Sequence, residues 1–313
     1  MEYMHIQGVD KAISRLIMGT GDLRKLEEPE RTMLDAYIAA GGNTFDTAHQ
    51  YRNKEKILGQ WLAEKQLRED VVILTKGAHH DDGSPGPRVN PQAIRKDLME
   101  SLERLSTDYV DLYALHRDDP SVAVGPIIEE LNEHIQAKRV RAIGASNWSF
   151  RRIQEANEYA ASHKLIGFAF NSPNLSLAKP NEPRWEGCVS ADEETCLWHS
   201  HHQLPLFAWS SQAGGFFSGH FSQDNRTDEE MVRVYYSESN WERYRRAVKL
   251  AKEKQVTPIQ IALSYVLNQS FPTCAIIGPR KPEELQSSIQ SMQLRLTCQE
   301  LEWLDLQREE IAE

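Results

Sequence analysis

Among the four cysteines, Cys188, Cys196, Cys274 and Cys298, there is no C-x-x-C pair. A disulfide framework and a paired-thiolate zinc site therefore both lack their usual signature. Cys188 and Cys196 do stand near His199, His201 and His202, but not as the tight ligand pairs that structural zinc takes. A loop followed by a helix is the preferred reading there, and no metal is expected. No apolar run approaches the roughly 18 residues of a membrane-spanning helix. The start, MEYMHIQGVDK, has neither the basic nor the apolar region of a secretory signal. A reducing cytoplasm is the simplest compartment. Positive charge is in deficit, with 36 basic against 46 acidic residues and a net charge of −10. Such a chain has no general attraction for nucleic acid or an anionic membrane, so an anionic ligand needs a local basic pocket. No Pro/Gly/Ser-rich linker and no abrupt charge shift divides the chain, which predicts one domain over residues 1–313. Oligomeric state is left open.

What is present is an alternation of two kinds of segment. Short β-rich runs occur at 13–18, 43–47, 71–76, 109–116, 140–146, 166–171, 204–209 and 274–278. Between them lie stretches with apolar residues at three- and four-residue spacing. In NPQAIRKDLMESLERL, Asn90 is placed to cap a helix, Pro91 suits its first position, and Ile94, Leu98, Leu102 and Leu105 form one stripe. TPIQIALSYVLNQ opens similarly at Thr257 and Pro258. Eight strands alternating with helices predict a (β/α)8 TIM barrel, a fold of about 250 residues or more. A doubly wound open sheet is the runner-up, but its phosphate fingerprint is missing: after Gly19-Thr20-Gly21, position 24 is Arg. Residues 1–12 are expected to form a hairpin turning near Gly8, and a last amphipathic helix is expected around 299–311. Segments 172–203 and 213–240 are long loops following strands, expected to cover the catalytic face.

Chemistry in such a barrel gathers at the C-terminal strand ends. The second, third and fourth strands end in Asp46, Lys76 and His116, with Tyr51 in the polar segment after Asp46. Alone, each has an ordinary explanation as a cap, a solvated end or a core residue; on one rim they suggest a site. A phenol has a pKa of about 10, too high for ready proton donation at neutral pH. Lys76 is expected to lower it, Asp46 to hold the ammonium, and His116 to fix the substrate oxygen. That set protonates a carbonyl oxygen as it gains charge, and the accompanying hydride calls for a nicotinamide. No G-x-S-x-G elbow suggests a serine nucleophile. Two alternatives stand beside this reading. One is a lyase with Lys76 as Schiff-base nucleophile, which the adjacent Asp46 disfavours. The other is a regulatory barrel that keeps a cofactor but hardly turns over.

The segments RLIMGTG, GGNTFDTAHQY, VILTKG, DYVDLYALHR, RAIGASNW, LFAWSSQAGGFFSG and AIIGPRKPEELQSS resemble the aldo-keto reductases along almost the full chain. The resemblance implies a (β/α)8 barrel closed at its base by an N-terminal hairpin, with Asp46, Tyr51, Lys76 and His116 as its tetrad. It implies NADP(H) as cofactor, NAD(H) being the alternative, and a small aldehyde, ketone or sugar-type carbonyl, or its alcohol, as substrate. Gly19 and Thr20 would approach the cofactor from the first strand. Ser146 and Asn147 would hold the carboxamide, Trp209 would stack on the ring, and Ser210 and Ser211 would serve the pyrophosphate near Gly278. Where the family commonly has Gln after the sixth strand, this chain has Ser172. Glu284 and Ser288 stand where it often has a polar or basic residue and Asn, with Arg280 and Lys281 as compensating cations. With the last helix expected to end near Glu313, no long C-terminal loop of the steroid- and aldose-type pockets is expected. Trp148, Trp185 and Phe216, from the inserts and strand ends, are therefore expected to wall the pocket, with Trp198 as a further candidate.

Overall fold

The computed structural model describes residues 1–80 and 86–311. Two short strands, β1 (Tyr3–Met4) and β2 (Ile13–Ser14), pair antiparallel. Eight more close into a parallel barrel: β3 (Leu16–Gly19), β4 (Thr44–Asp46), β5 (Val72–Gly77), β6 (Val110–Leu115), β7 (Val140–Ser146), β8 (Phe170–Ser172), β9 (Leu206–Ala208) and β10 (Thr273–Ile277). Sheet order follows chain order, and β10 pairs with β3 to close the ring. This is the (β/α)8 TIM barrel, with helices outside it.

Strand parity explains how the barrel fills. Ile17, Val72, Leu74, Leu112, Ala114, Ala142, Phe170, Phe207 and Cys274 form the interior cluster, together with Ile6 and Val9 of the hairpin segment that plugs the base. Their neighbours in sequence, such as Leu16, Met18, Phe45, Ile73 and Tyr113, face outward into the larger layer beneath the helices. Phe170 and Phe207 stack inside the barrel with centroids 4.7 Å apart. Gly144 makes room for them: a Cβ there would fall 2.4 Å from the Phe170 ring.

The helix Pro91–Leu105 forms as its sequence predicts. Asn90 accepts from the Ala93 N–H at 3.0 Å, and the whole Ile94, Leu98, Leu102, Leu105 stripe is buried. Thr257 and Gln260 make a capping box for Pro258–Leu267.

Three boundaries differ most from the sequence reading. Of the run 166–171 only the end is strand, which covers Phe170–Ser172. The apolar run 13–18 is divided between the hairpin and the barrel, because Asn43 and Thr44 side chains take the Ser14 N–H and Arg15 turns to bond Glu2 and Thr273 O. The last helix covers only Cys298–Leu304. The chain then folds back, with Leu306 at φ 65°, so that Trp303 Nε1 donates to Glu309 O and Arg246 to Arg308 O.

Candidate active site

The inward parity of each strand carries one residue to the top of the barrel. Continuing it from the interior cluster gives Gly19, Asp46, Lys76, His116, Ser146, Ser172, Trp209 and Gly278. Each lies at, or within one residue of, its strand's C-terminal end. The layer that finishes the core is thus also the floor of the site.

Lys76 is its electrostatic centre. Its buried ammonium donates to Asp46 Oδ1 and to Thr47 O, the latter at 3.1 Å. Removing one partner of such a buried pair costs about 3–5 kcal/mol, because the other charge is stranded. Burial raises the Asp46 carboxyl above its ordinary pKa, with Lys76 opposing. Tyr51 ends the 3₁₀ turn His49–Tyr51, which is bolted to the neighbouring helix: His49 Nε2 lies 2.7 Å from Glu100 Oε2, and Arg104 donates to His49 O at 2.9 Å. The Lys76 ammonium stands 5.7 Å from the Tyr51 ring centroid. His116 meets Tyr51 edge-on at 5.8 Å, and His79 meets His116 at 4.7 Å.

The expected lowering of the Tyr51 pKa is not what the site produces. Lys76 does pull it down, but burial outweighs the ammonium and leaves the phenol above its ordinary value. Burial first, and then the charges of Lys76 and Arg117, drive His116 well below the ordinary imidazole range, so its ring is neutral at pH 7. Its Nδ1 is buried without a partner, which leaves Nε2 as the ring nitrogen able to reach a ligand.

The expected cofactor residues divide into two groups. Several spend their side chains on the barrel itself. Thr20 Oγ1 donates to Asp46 O, Ser146 Oγ to Ser172 O, Ser172 Oγ to Phe207 O and Ser211 Oγ to Ile276 O. Asn147 donates to His116 O and Ser146 Oγ, and its Oδ1 accepts from Val189 N and Trp209 Nε1. Ser288 is buried and bonds Glu284 O, so its hydroxyl does not face a ligand groove. Gly19, Trp209, Ser210, Gly278, Arg280, Lys281 and Glu284 are the ones left partly or fully accessible. A Cβ on Gly278 or Gly21 would meet nothing within 4 Å, which is room for a ligand at the backbone. Glu284 folds back to accept from the Arg280 N–H at 2.7 Å, and the exposed Arg280 guanidinium stands 3.6 Å from Asp22.

Of the expected pocket aromatics, Trp185 fits best: it is exposed and tilts over Trp209 at 5.9 Å. Phe216 is fully buried among Phe217, Tyr235 and Trp241, and so belongs to the core under the loop. Trp148 is likewise core, packed edge-on against Phe168 with its N–H on Arg117 O. Trp198 is buried too, stacked on His202. The sequence reading missed Arg184, whose guanidinium pairs with Glu230 and donates to Ser210 Oγ at 3.3 Å. Its irregular insert offers no periodicity to mark it. It also passed over Arg117, although its place directly after His116 was a usable signal.

The sequence matches the description "Aldo/keto reductase family" over residues 15–307. An uncharacterized oxidoreductase of Bacillus subtilis is 28% identical, covering 97% of this chain and 95% of its own. A putative aryl-alcohol dehydrogenase of Saccharomyces cerevisiae is 25% identical over 87% of this chain and 75% of its own. Norsolorinic acid reductase of Emericella nidulans is 29% identical, with 90% and 72% covered. With the barrel, the base hairpin and this match over nearly its whole length, the chain belongs to the aldo/keto reductase family and is an NAD(P)H-dependent oxidoreductase.

Proposed function

We propose that the protein reduces the carbonyl of a small aldehyde, ketone or sugar-type substrate with NADP(H), taking the proton from Tyr51. The observation that carries this reading is the buried Asp46–Lys76 pair held beside the Tyr51 ring with neutral His116 at its edge. The relatives named for aryl-alcohol and norsolorinic acid chemistry support aromatic carbonyls as the first class to try.

When bound, a nicotinamide cofactor supplies the hydride. Trp209 would face its ring, Ser210 and Arg184 would hold the pyrophosphate, and Gly278 would let it lie against the backbone. Arg280 and Lys281 would take an adenosine 2′-phosphate. Asn147 and Ser146 would serve the carboxamide by exchanging one of their present bonds. Tyr51, kept protonated by burial, gives its proton to the carbonyl oxygen as negative charge builds there. Lys76 stabilises the phenolate left behind, and Asp46 keeps Lys76 charged and in place. An orphaned buried N–H is rarer than an under-used acceptor, so the proton of neutral His116 belongs on Nε2, where it donates to the same oxygen. The same contacts disfavour a Schiff-base lyase, since an ammonium paired with a carboxylate is a poor nucleophile. The four free cysteines support a reducing compartment such as the cytoplasm.

The test is oxidation of NADPH by the full chain against a panel of aromatic and aliphatic aldehydes. Turnover with at least one aldehyde class is expected. Tight NADPH binding with no turnover on any carbonyl would favour the regulatory barrel instead.

A further inference from the structure

Three cations are buried among the described residues, and two of them have a carboxylate. Lys76 pairs with Asp46, and Arg243 lies 3.4 Å from Asp305. The third, Arg117, is 7% exposed and has no acidic partner among the described residues. Its neighbour Asp118 is turned to Arg152 at 3.4 Å. Arg117 spends only two of its five N–H groups on the protein: Nε donates to Glu186 O at 3.1 Å, and Nη1 returns to His116 O at 2.9 Å. A buried charge with no counter-charge costs several kcal/mol unless a ligand offsets it.

Its position is fixed at the reaction centre. Nη1 clasps the carbonyl of His116, and Trp148 Nε1 holds the Arg117 carbonyl at 2.9 Å. The insert lies flat on the arginine stem: Gly187 adopts φ +70°, and a Cβ there would come within 3.1 Å of Arg117 Cδ. The guanidinium is close enough that Tyr51, His116 and the half-buried Cys188 thiol all feel its charge. Arg184, the nearby insert cation, does by contrast have a carboxylate partner, Glu230.

We infer that Arg117 is an anion subsite beside Tyr51 and His116, and that the carbonyl substrate carries a carboxylate bound there. This rests on reading the site as carbonyl-reducing. A planar guanidinium with a free edge matches a carboxylate through two parallel N–H···O bonds. Arg117 is then a specificity-determining residue, separate from proton transfer.

The experiment compares 4-formylbenzoate with its methyl ester as substrates, and benzoate with methyl benzoate as ligands in a calorimeter, using the full chain with NADP(H). The wild type should favour each acid over its ester by about tenfold or more, as expected for hydrogen bonds to a charged group. Arg117→Gln should bring both ratios close to one, and Arg117→Lys should restore part of them. Wild-type ratios at or below one would overturn the subsite. So would an equal fall for acid and ester in Arg117→Gln, which would mean that the arginine only holds the loop. If neither aldehyde is reduced, the benzoate ratio still decides whether the anion subsite exists, and the carbonyl panel decides separately whether the carbonyl-reducing reading fails.

Discussion

Lys76 is the charge that Asp46, Tyr51 and His116 share. Its ammonium is paired with Asp46 and held at Thr47 O, and its field pulls the pKa of both Tyr51 and His116 down, favouring the phenolate and disfavouring the imidazolium. That Asp46, Lys76 and His116 share one rim was legible in the sequence, because an acid, a base and an imidazole end three successive apolar strands, with Tyr51 in the polar segment after the first. The sign of the Tyr51 shift was not, because it depends on how deeply the ring is buried, which no local pattern records. Glu284 is similar. Its carboxylate looked like an obstacle to the 2′-phosphate, and the fold shows it spent on the Arg280 N–H. That bond occupies a donor at the mouth of the proposed phosphate site and leaves a negative charge beside it. Glu284→Gln is therefore expected to lower the KM for NADPH several-fold with little change for NADH, measured by steady-state kinetics with both cofactors. An equal change for the two would place Glu284 away from the 2′-phosphate.

Among the elements, regular ones were readable and inserts were not. The Pro91–Leu105 stripe and cap, and the strand ends, follow from spacing and turn chemistry within a few residues. The 172–203 insert has no such period, so nothing local predicted that Arg184 reaches Ser210, that Gly187 lies on Arg117, or that Val189 caps Asn147. Its helix Glu193–His202 is anchored by a fully buried histidine: His199 Nδ1 lies 2.8 Å from Leu204 O and its Nε2 3.2 Å from Asn171 Nδ2. With donor and acceptor both used, the ring is held neutral, and burial lowers its pKa to about 4. The unfolded chain takes up this proton near the ordinary 6.5, so the stabilisation is complete above that pH and is lost as pH falls toward 4. The loss is about 3 kcal/mol at 1.36 kcal/mol per pKa unit. His116 and His134, also depressed by burial, act in the same direction. Urea melts from pH 7 to pH 4 should show a steep decline in wild type and a shallower one in His199→Gln. Parallel slopes would mean that His199 does not contribute to the acid sensitivity.

At the scale of the whole molecule, closure makes the site. The first barrel strand pairs with the last, so no cut between them leaves a closed sheet, and we propose that the barrel, hairpin and inserts form one domain. The eight-strand alternation was enough to predict this ring and the rim that gathers Asp46, Lys76 and His116. It was not enough to say which rim residues face a ligand and which are spent on the barrel, as Ser146, Ser172 and Ser211 are, because that depends on carbonyls contributed by neighbouring strands. The same closure brings Asp46, Tyr51, Lys76 and His116 to one rim, where we propose that they act jointly as a proton donor. The most direct measurement is a comparison of wild type and Tyr51→Phe, recording NADPH affinity by tryptophan fluorescence and aldehyde reduction by loss of NADPH absorbance. The prediction is unchanged NADPH affinity with turnover reduced by about 10²–10⁴-fold, the range for a positioned general acid. Turnover at the wild-type rate in Tyr51→Phe, with cofactor bound as before, would contradict it.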